Sequence, residues 1–278
     1  ITYVLCTNSV NLTDEVLSIC ETYKVLISTS LDGPEELHNH NRGKIDSYSR
    51  VIKGIEKARN VLGIDRVSAL MTASEESVNH PVEIIDAYID NGFHSIFLRA
   101  LNPYGMASQY ADWNEYYDRF IVFYKKALDY IIDLNKNGTY FIEEFTALIL
   151  RKILTPFSIG FVDLQSPAGI INSVIVYNYD GYVYASDESR MLTEHGDNTF
   201  RLGHVNDVYE NIFYGRKAQE IASIWANETI AGCSECAYQS YCGADPVRNH
   251  STQGDMYGFR PTSSFCKKHN PIIQHIFS

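Results

Sequence analysis

Apolar positions along the first hundred residues follow two alternating rhythms. Short apolar runs at residues 1–6, 25–31 and 93–98, and the every-second-residue pattern of Val67, Ala69 and Met71, predict β-strands. Between them the spacing changes to threes and fours. Thr13-Asp14-Glu15 opens a short helix with acidic residues in its first turn, where the helix dipole favours them. Tyr48, Val51, Ile52, Ile55 and Leu62 make one face of a helix that begins near Asp46. Pro81 starts another, carrying Ile84, Ile85, Tyr88 and Ile89, with Gly92 just past its end. Strand and helix alternate at steps of roughly 20–35 residues, which predicts parallel strands joined by helical crossovers. Ligands in such folds sit at the carboxyl ends of the strands. The turns after Cys6, Leu31, Met71 and Leu98 are therefore the places to search.

The pattern then changes. Trp113, Tyr116, Tyr117, Phe120 and Tyr124 share one face of a long helix and read as core, and Gly138 ends it. Residues 141–154 predict another helix. Pro156, Gly160, Pro167 and Gly169 punctuate a loop at 155–169. Beyond it, apolar stretches at 173–178 and 182–185 flank Tyr179-Asp180-Gly181, a hairpin signal. A helix over 211–226 leads to Gly232 and a cysteine-rich loop. The expected division is 1–137, a connection at 138–171, and a second domain at 172–278.

Composition sharpens this in three ways. The 278 residues are 45% apolar and 21% charged, as in a globular protein, with a net charge of -11. No basic stripe accompanies that charge, which argues against a nucleic-acid partner. No apolar run has the length of a membrane span and no secretory signal opens the chain, so a reducing, cytoplasmic setting without a membrane partner is expected. The chain opens on Ile-Thr-Tyr without an initiator Met, inside a strand-like run, as a fragment would.

Cysteine placement carries the strongest chemistry. Cys233, Cys236, Cys242 and Cys266 form the pattern C-x2-C-x5-C-x23-C. Four thiolates on one point suit zinc or an iron–sulfur cluster. Four-cysteine zinc sites usually pair two C-x2-C knuckles; the x5 and x23 spacings here lean towards iron–sulfur and leave zinc open. Gly243, directly after a ligand position, would let the backbone turn tightly around the metal. Cys6 and Cys20, fourteen residues apart, read as buried packing residues. His38 and His40 read as turn or surface histidines, without further ligands nearby.

Two stretches together resemble a known family. Ser28-Thr-Ser30-Leu-Asp32-Gly33-Pro34-x3-His38-x3-Arg42 resembles the fourth-strand motif of radical S-adenosylmethionine (SAM) enzymes that modify peptides, and Leu5-Cys-Thr7-Asn8 resembles the end of their third strand. The cysteine pattern resembles their SPASM extension, along with Asp180-Gly181-x-Val183-Tyr184 and Leu202-Gly203-His204-Val205 before it. Within the superfamily the chain looks most similar to HxsB-type maturases of the His-Xaa-Ser peptide system, through Val67-Ser-Ala-Leu-Met-Thr72, Val162-Asp-Leu-Gln-Ser-Pro-Ala-Gly169 and Tyr184-Ala-Ser-Asp-Glu-Ser-Arg-Met191.

The resemblance implies an α/β fold: a partial, TIM-like radical SAM barrel, incomplete at its N-terminus, then a smaller α+β SPASM domain with a four-cysteine metal site. It implies one auxiliary 4Fe–4S cluster on Cys233, Cys236, Cys242 and Cys266, and SAM at Asn8, Ser30, Arg42 and Leu98. The full-length enzyme would cleave SAM reductively to a 5′-deoxyadenosyl radical that abstracts hydrogen from a ribosomally made precursor peptide. An external electron donor and a second maturase would be its further partners. Relatives hold the SAM-cleaving cluster in a Cx3Cx2C loop that is absent here, so that cluster is expected from upstream residues and this chain alone is expected to be inactive. Where one branch has Cys-Asp after its hairpin, this chain has Ser186-Asp187, which makes Asp187 a candidate base. The alternatives are a catalytically inactive peptide-binding module with a structural four-cysteine site, and an unrelated α/β protein with a zinc knob.

Overall fold

The computed structural model describes residues 1–105, 107, 112–223 and 226–278. In chain order the elements are β1 (Val4–Cys6), α1 (Asp14–Thr22), β2 (Leu26–Ser30), α2 (Glu35–Arg42), α3 (Ser47–Leu62), β3 (Val67–Ala73), α4 (Pro81–Asp90), β4 (Ser95–Ile96), β5 (Leu98–Ala100), α5 (Trp113–Lys136), β6 (Ile142–Glu143) and α6 (Glu144–Leu154). There follow β7 (Val176–Tyr177), β8 (Tyr182–Tyr184), α7 (Asp187–Thr193), β9 (Arg201–His204), α8 (Tyr209–Phe213), α9 (Arg216–Ser223), α10 (Pro246–Gln253) and α11 (Ser264–Phe277). The described chain divides into two compact units, Ile1–Leu101 with Arg119–Ala147 and Asn102–Asp118 with Leu148–Ser278.

The first unit is the expected parallel α/β arrangement. Its sheet runs β1-β2-β3-β5 with every pair parallel, and β4 pairs with β6, also parallel. Residues alternate faces along each strand. Register joins Ile27 to Val67, Thr29 to Ala69 and Met71 to Leu98, and this face is mostly buried against core. The other face carries Cys6 opposite Ser28, Ser30 opposite Leu70, and Thr72 opposite Arg99. It is polar and half-exposed. Cys6 is thus exposed rather than buried, because parity sets it on the polar face; Cys20, late in α1, is buried as expected.

Most of the aromatic stripe of α5 is core: Tyr116, Tyr117, Phe120 and Tyr124 are buried, while Trp113 is half-buried. Residues 141–154 are not one helix. They form β6 and then α6, and Glu143 at the junction is a buried carboxylate. It accepts from Tyr124 Oη at 2.5 Å and from the backbone N–H of Leu98 at 3.2 Å, Phe145 at 3.3 Å and Thr146 at 2.5 Å. Burial pushes its pKa up, while the bonds from Tyr124, Thr146 and Leu98 pull it back.

In the second unit, β7, β8 and β9 form an antiparallel sheet over a core containing Val183, Ala185, Phe200, Ile221, Ile230 and Val247. The helix expected over 211–226 is two helices, α8 and α9, interrupted at Tyr214-Gly215; its positions 224 and 225 lie outside the described residues. Two C-terminal helices, α10 and α11, were not anticipated.

Candidate functional site

Two arrangements carry chemistry, one in each unit. The first is the carboxyl end of the parallel sheet. Ser30 is the last residue of β2 and half-buried on the polar face. Asn8 follows β1 and is exposed; its Oδ1 accepts from the N–H of Val10 at 3.2 Å, which shapes the turn. After Ser30 the chain passes Leu31 and turns at Gly33, whose φ of +135° suits only glycine and where an added Cβ would meet Ile84 Cγ1 at 2.9 Å. That turn delivers Asp32 and α2.

Arg42, at the end of α2, is committed to a protein partner. Its Nε donates to Asp32 Oδ2 at 2.6 Å and its Nη2 to Asp32 Oδ1 at 2.7 Å, a two-pronged bond to a carboxylate only 2% exposed. Asp32 Oδ1 also accepts from Thr72 N–H at 3.3 Å. His38 is fully buried beside it. Its Nδ1 accepts from Asp32 N–H at 3.2 Å, so its proton sits on Nε2, 3.2 Å from Ser47 Oγ. Burial lowers the His38 pKa and holds the ring neutral, with the Asp32 charge opposing that shift.

Leu98 lies at nearly the level of Ser30 but on the opposite, buried face, because Ser30 pairs with Leu70 and Leu98 with Met71. The residue that shares Ser30's face is Arg99, which is exposed and opposite Thr72. Two strand spacings and a two-residue offset put the Cα atoms of Ser30 and Arg99 about 12 Å apart. Arg99 was missed because nothing in its local sequence marks it; only register reveals its face.

The second arrangement is the cysteine loop. All four cysteines are free thiols, with Cys233 and Cys242 buried and Cys236 and Cys266 half-buried. Cys266 sits in the first turn of α11. They gather around Arg260, whose Nη1 donates to Cys233 Sγ at 2.7 Å and Nη2 to Cys236 Sγ at 3.4 Å, and whose charge acts on Cys242 and Cys266. Burial pushes the Cys242 thiol up to about 11. For Arg260, burial opposes the charge, but the hydrogen bond to Cys233 and the surrounding thiols raise its pKa above the ordinary arginine value. Gly243 sits at a close approach of backbone: an added Cβ would stand 2.2 Å from Asp163 O and 2.8 Å from Gln165 N. Lys152 Nζ clamps the same strip, donating to Cys242 O at 3.0 Å and to Leu164 O.

The described residues contain no group of three His, Cys, Asp or Glu side chains spaced to hold one metal ion. The cysteines nonetheless fit a thiolate-bound centre by donor chemistry: four free thiols, two of them buried, around a shared cation. His38 and His40 do not form such a group.

Asp187 is the first residue of α7 and its side chain is 64% exposed, paired with Arg190 Nε at 3.0 Å. Ser186 caps that helix through a reciprocal bond with Ser189. The neighbouring Glu188 is more enclosed, and burial together with the Asp245 charge pushes its pKa up. Sequence reasoning also missed Arg248, 2% exposed, which donates to Tyr117 Oη at 3.0 Å and Asn102 Oδ1 at 2.7 Å and lies 3.6 Å from Asp245.

The fold recurs in solved proteins. The chain is similar to anSMEcpe with bound AdoMet over 99% of its own length and 73% of that chain, at 19% identity and a TM-score of 0.75. It is similar to anSMEcpe with bound AdoMet and the Kp18Cys peptide at 18% identity and the same TM-score, over 99% of its own length and 74% of that chain. Streptococcus suis SuiB bound to S-adenosylmethionine matches over 95% of this chain and 60% of its own, at 14% identity and a TM-score of 0.62. The chain shares their fold. An uncharacterized protein of Methanothermobacter thermautotrophicus is 34% identical over 93 residues, covering 33% of this chain and 34% of that protein, so the match spans about a third of each. No protein-family model matches the chain. Among the described residues, no helix is long and apolar enough to cross a membrane.

Proposed function

We propose that the chain is the SAM-binding and auxiliary-cluster part of a radical SAM/SPASM peptide maturase, of the type to which anSMEcpe and SuiB belong. The observation that carries this reading is the polar face at the carboxyl end of the parallel sheet, in a fold whose solved relatives bind AdoMet at near-complete overlap of this chain. On this reading Ser30 and Asn8 offer short polar groups to the nucleoside, and Leu98 backs the sheet from its buried side. Arg42 spends its fork on Asp32, so Arg99 is the cation left to meet the ligand's carboxylate, a pairing suited to a guanidinium. A precursor peptide is the proposed second substrate, in line with the peptide bound to anSMEcpe. The HxsB-type subfamily remains the proposed branch.

The four thiols would hold one 4Fe–4S cluster, in which cysteines ligate different irons rather than one ion. When bound, it would supply one-electron chemistry. The chain's own contribution is to present Cys242, whose thiol would release its proton to solvent on ligation, to tie the Cys242-Gly243 strip to Leu164 through Lys152, and to keep Cys233 buried. Asp187 is retained as a candidate proton acceptor; reaching a substrate would require it to leave Arg190.

Equilibrium dialysis of the chain against SAM and against decarboxylated SAM tests the reading. The chain should bind SAM, and prefer it to the decarboxylated analogue by about tenfold, one good charged contact of about 1.4 kcal/mol. Arg99→Gln should erase the preference while leaving the decarboxylated analogue's affinity unchanged. No SAM binding by the wild-type chain would reject the proposal.

A further inference from the structure

The geometry points to Arg260 as the residue that sets the reduction potential of the centre on Cys233, Cys236, Cys242 and Cys266, an inference that rests on the cluster reading above. Its guanidinium donates to two of the four sulfurs, at 2.7 Å to Cys233 and 3.4 Å to Cys236, and its charge also acts on Cys242 and Cys266. The side chain is held from both ends. Its aliphatic stem lies along the turn entering the cysteine loop, where a Cβ added at Gly232 would stand 3.5 Å from Arg260 Cβ. Its backbone belongs to the short 3-10 turn Arg260–Thr262, closed by Ser263 N–H donating to Arg260 O at 3.0 Å, just before the helix that carries Cys266.

An iron–sulfur core bound by four thiolates is anionic, and one-electron reduction adds a further negative charge. A cation that donates hydrogen bonds to the sulfurs stabilises the reduced form more than the oxidised form, so it raises the potential. The step is the transfer of one electron from a low-potential donor to the cluster; no bond of Arg260 forms or breaks. Lys152 does not substitute for it, because its ammonium is spent on the carbonyls of Leu164 and Cys242.

The test uses the full chain, reconstituted anaerobically with iron and sulfide, as wild type, Arg260→Gln and Arg260→Lys. Iron and sulfide content are measured first, then an EPR-monitored titration with dithionite. With content equal to wild type, Arg260→Gln should lower the reduced-to-oxidised ratio at fixed potential by tenfold or more, a midpoint shift of about 59 mV for a one-electron couple. Arg260→Lys, which keeps the charge but loses the fork, should shift in the same direction by less. An unchanged midpoint in Arg260→Gln at equal iron content overturns the inference and leaves the cluster reading standing. If Arg260→Gln fails to load, the Arg260→Lys midpoint decides by the same criterion. Failure of both variants to load while still folded would make Arg260 an assembly residue and overturn its role in the potential. A wild-type chain without iron and sulfide rejects the cluster reading, and this inference with it.

Discussion

Arg42→Ala removes the partner of a carboxylate that water barely reaches. Asp32 is 2% exposed and accepts both prongs of the Arg42 fork, at 2.6 and 2.7 Å. After truncation it keeps only the Thr72 N–H, at 3.3 Å. His38 Nδ1, 4.0 Å from Asp32 Oδ2, offers no proton, because that nitrogen already accepts from the Asp32 N–H. Stranding one member of a fully buried ion pair costs about 3–5 kcal/mol. Arg42 itself is 36% exposed, so solvent enters the vacated side and draws the cost towards the ~1 kcal/mol of a surface pair. About 2 kcal/mol is the expected loss. Arg42→Lys, with its charge but no fork, should lose about half that. The double variant Asp32→Asn with Arg42→Gln should cost less than the sum of its singles, because the charge and its partner leave together. Urea unfolding at constant m-value measures these five variants. An Arg42→Ala chain within about 0.5 kcal/mol of wild type, or additive singles, would refute the claim that the pair is a closed structural unit and return Arg42 to the ligand.

Gly243→Ala should destabilise the chain by about 1–3 kcal/mol, since the added methyl meets backbone at Asp163 and Gln165 that no side-chain rotation can clear; a neutral midpoint in urea would contradict that packing. His38 predicts a pH dependence. Its folded pKa is lowered by burial, so the unfolded chain binds a proton first as pH falls below ~6.5, and His38 loses its stabilising effect by up to about 1.4 kcal/mol per pH unit below that point. The stability gap between wild type and His38→Gln should therefore be wider at pH 7.5 than at pH 5.5, and a constant gap counts against it. Glu143→Leu should cost several kcal/mol by stranding the N–H groups of Leu98 and Thr146 and leaving the Tyr124 hydroxyl with Thr146 Oγ1 alone; loss of the transition's cooperativity would report the same defect, and an unchanged midpoint would deny it.

The parallel sheet was legible because burial writes itself into period: Val67, Ala69 and Met71 alternate as a strand requires, and Pro81 and Gly92 bracket α4. The α5 stripe was legible for the same reason. What escaped depended on partners distant in sequence or on weak local patterns. Helix α2 has Leu37 as its one aliphatic residue and packs through the buried, neutral His38, so no apolar period announced it. Helix α11 contains Pro271, which reads as a breaker. The run through Glu143 reads as helix because a buried carboxylate mimics a surface one until Tyr124 and Leu98 are placed around it. At the candidate site, the motif led to Ser30, Arg42 and the four cysteines. That Arg42 is already engaged, that Leu98 faces away from Ser30, and that Arg99 and Arg260 are the cations at hand follow from register and from the folded cysteine loop alone.

Metal and sulfide analysis of the anaerobically reconstituted chain, with and without Cys233→Ala, tests the cluster most directly. The 4Fe–4S assignment predicts about four iron and four sulfide per chain, with broad visible absorption, both lost in the variant. A colourless chain carrying one zinc and no sulfide would contradict it.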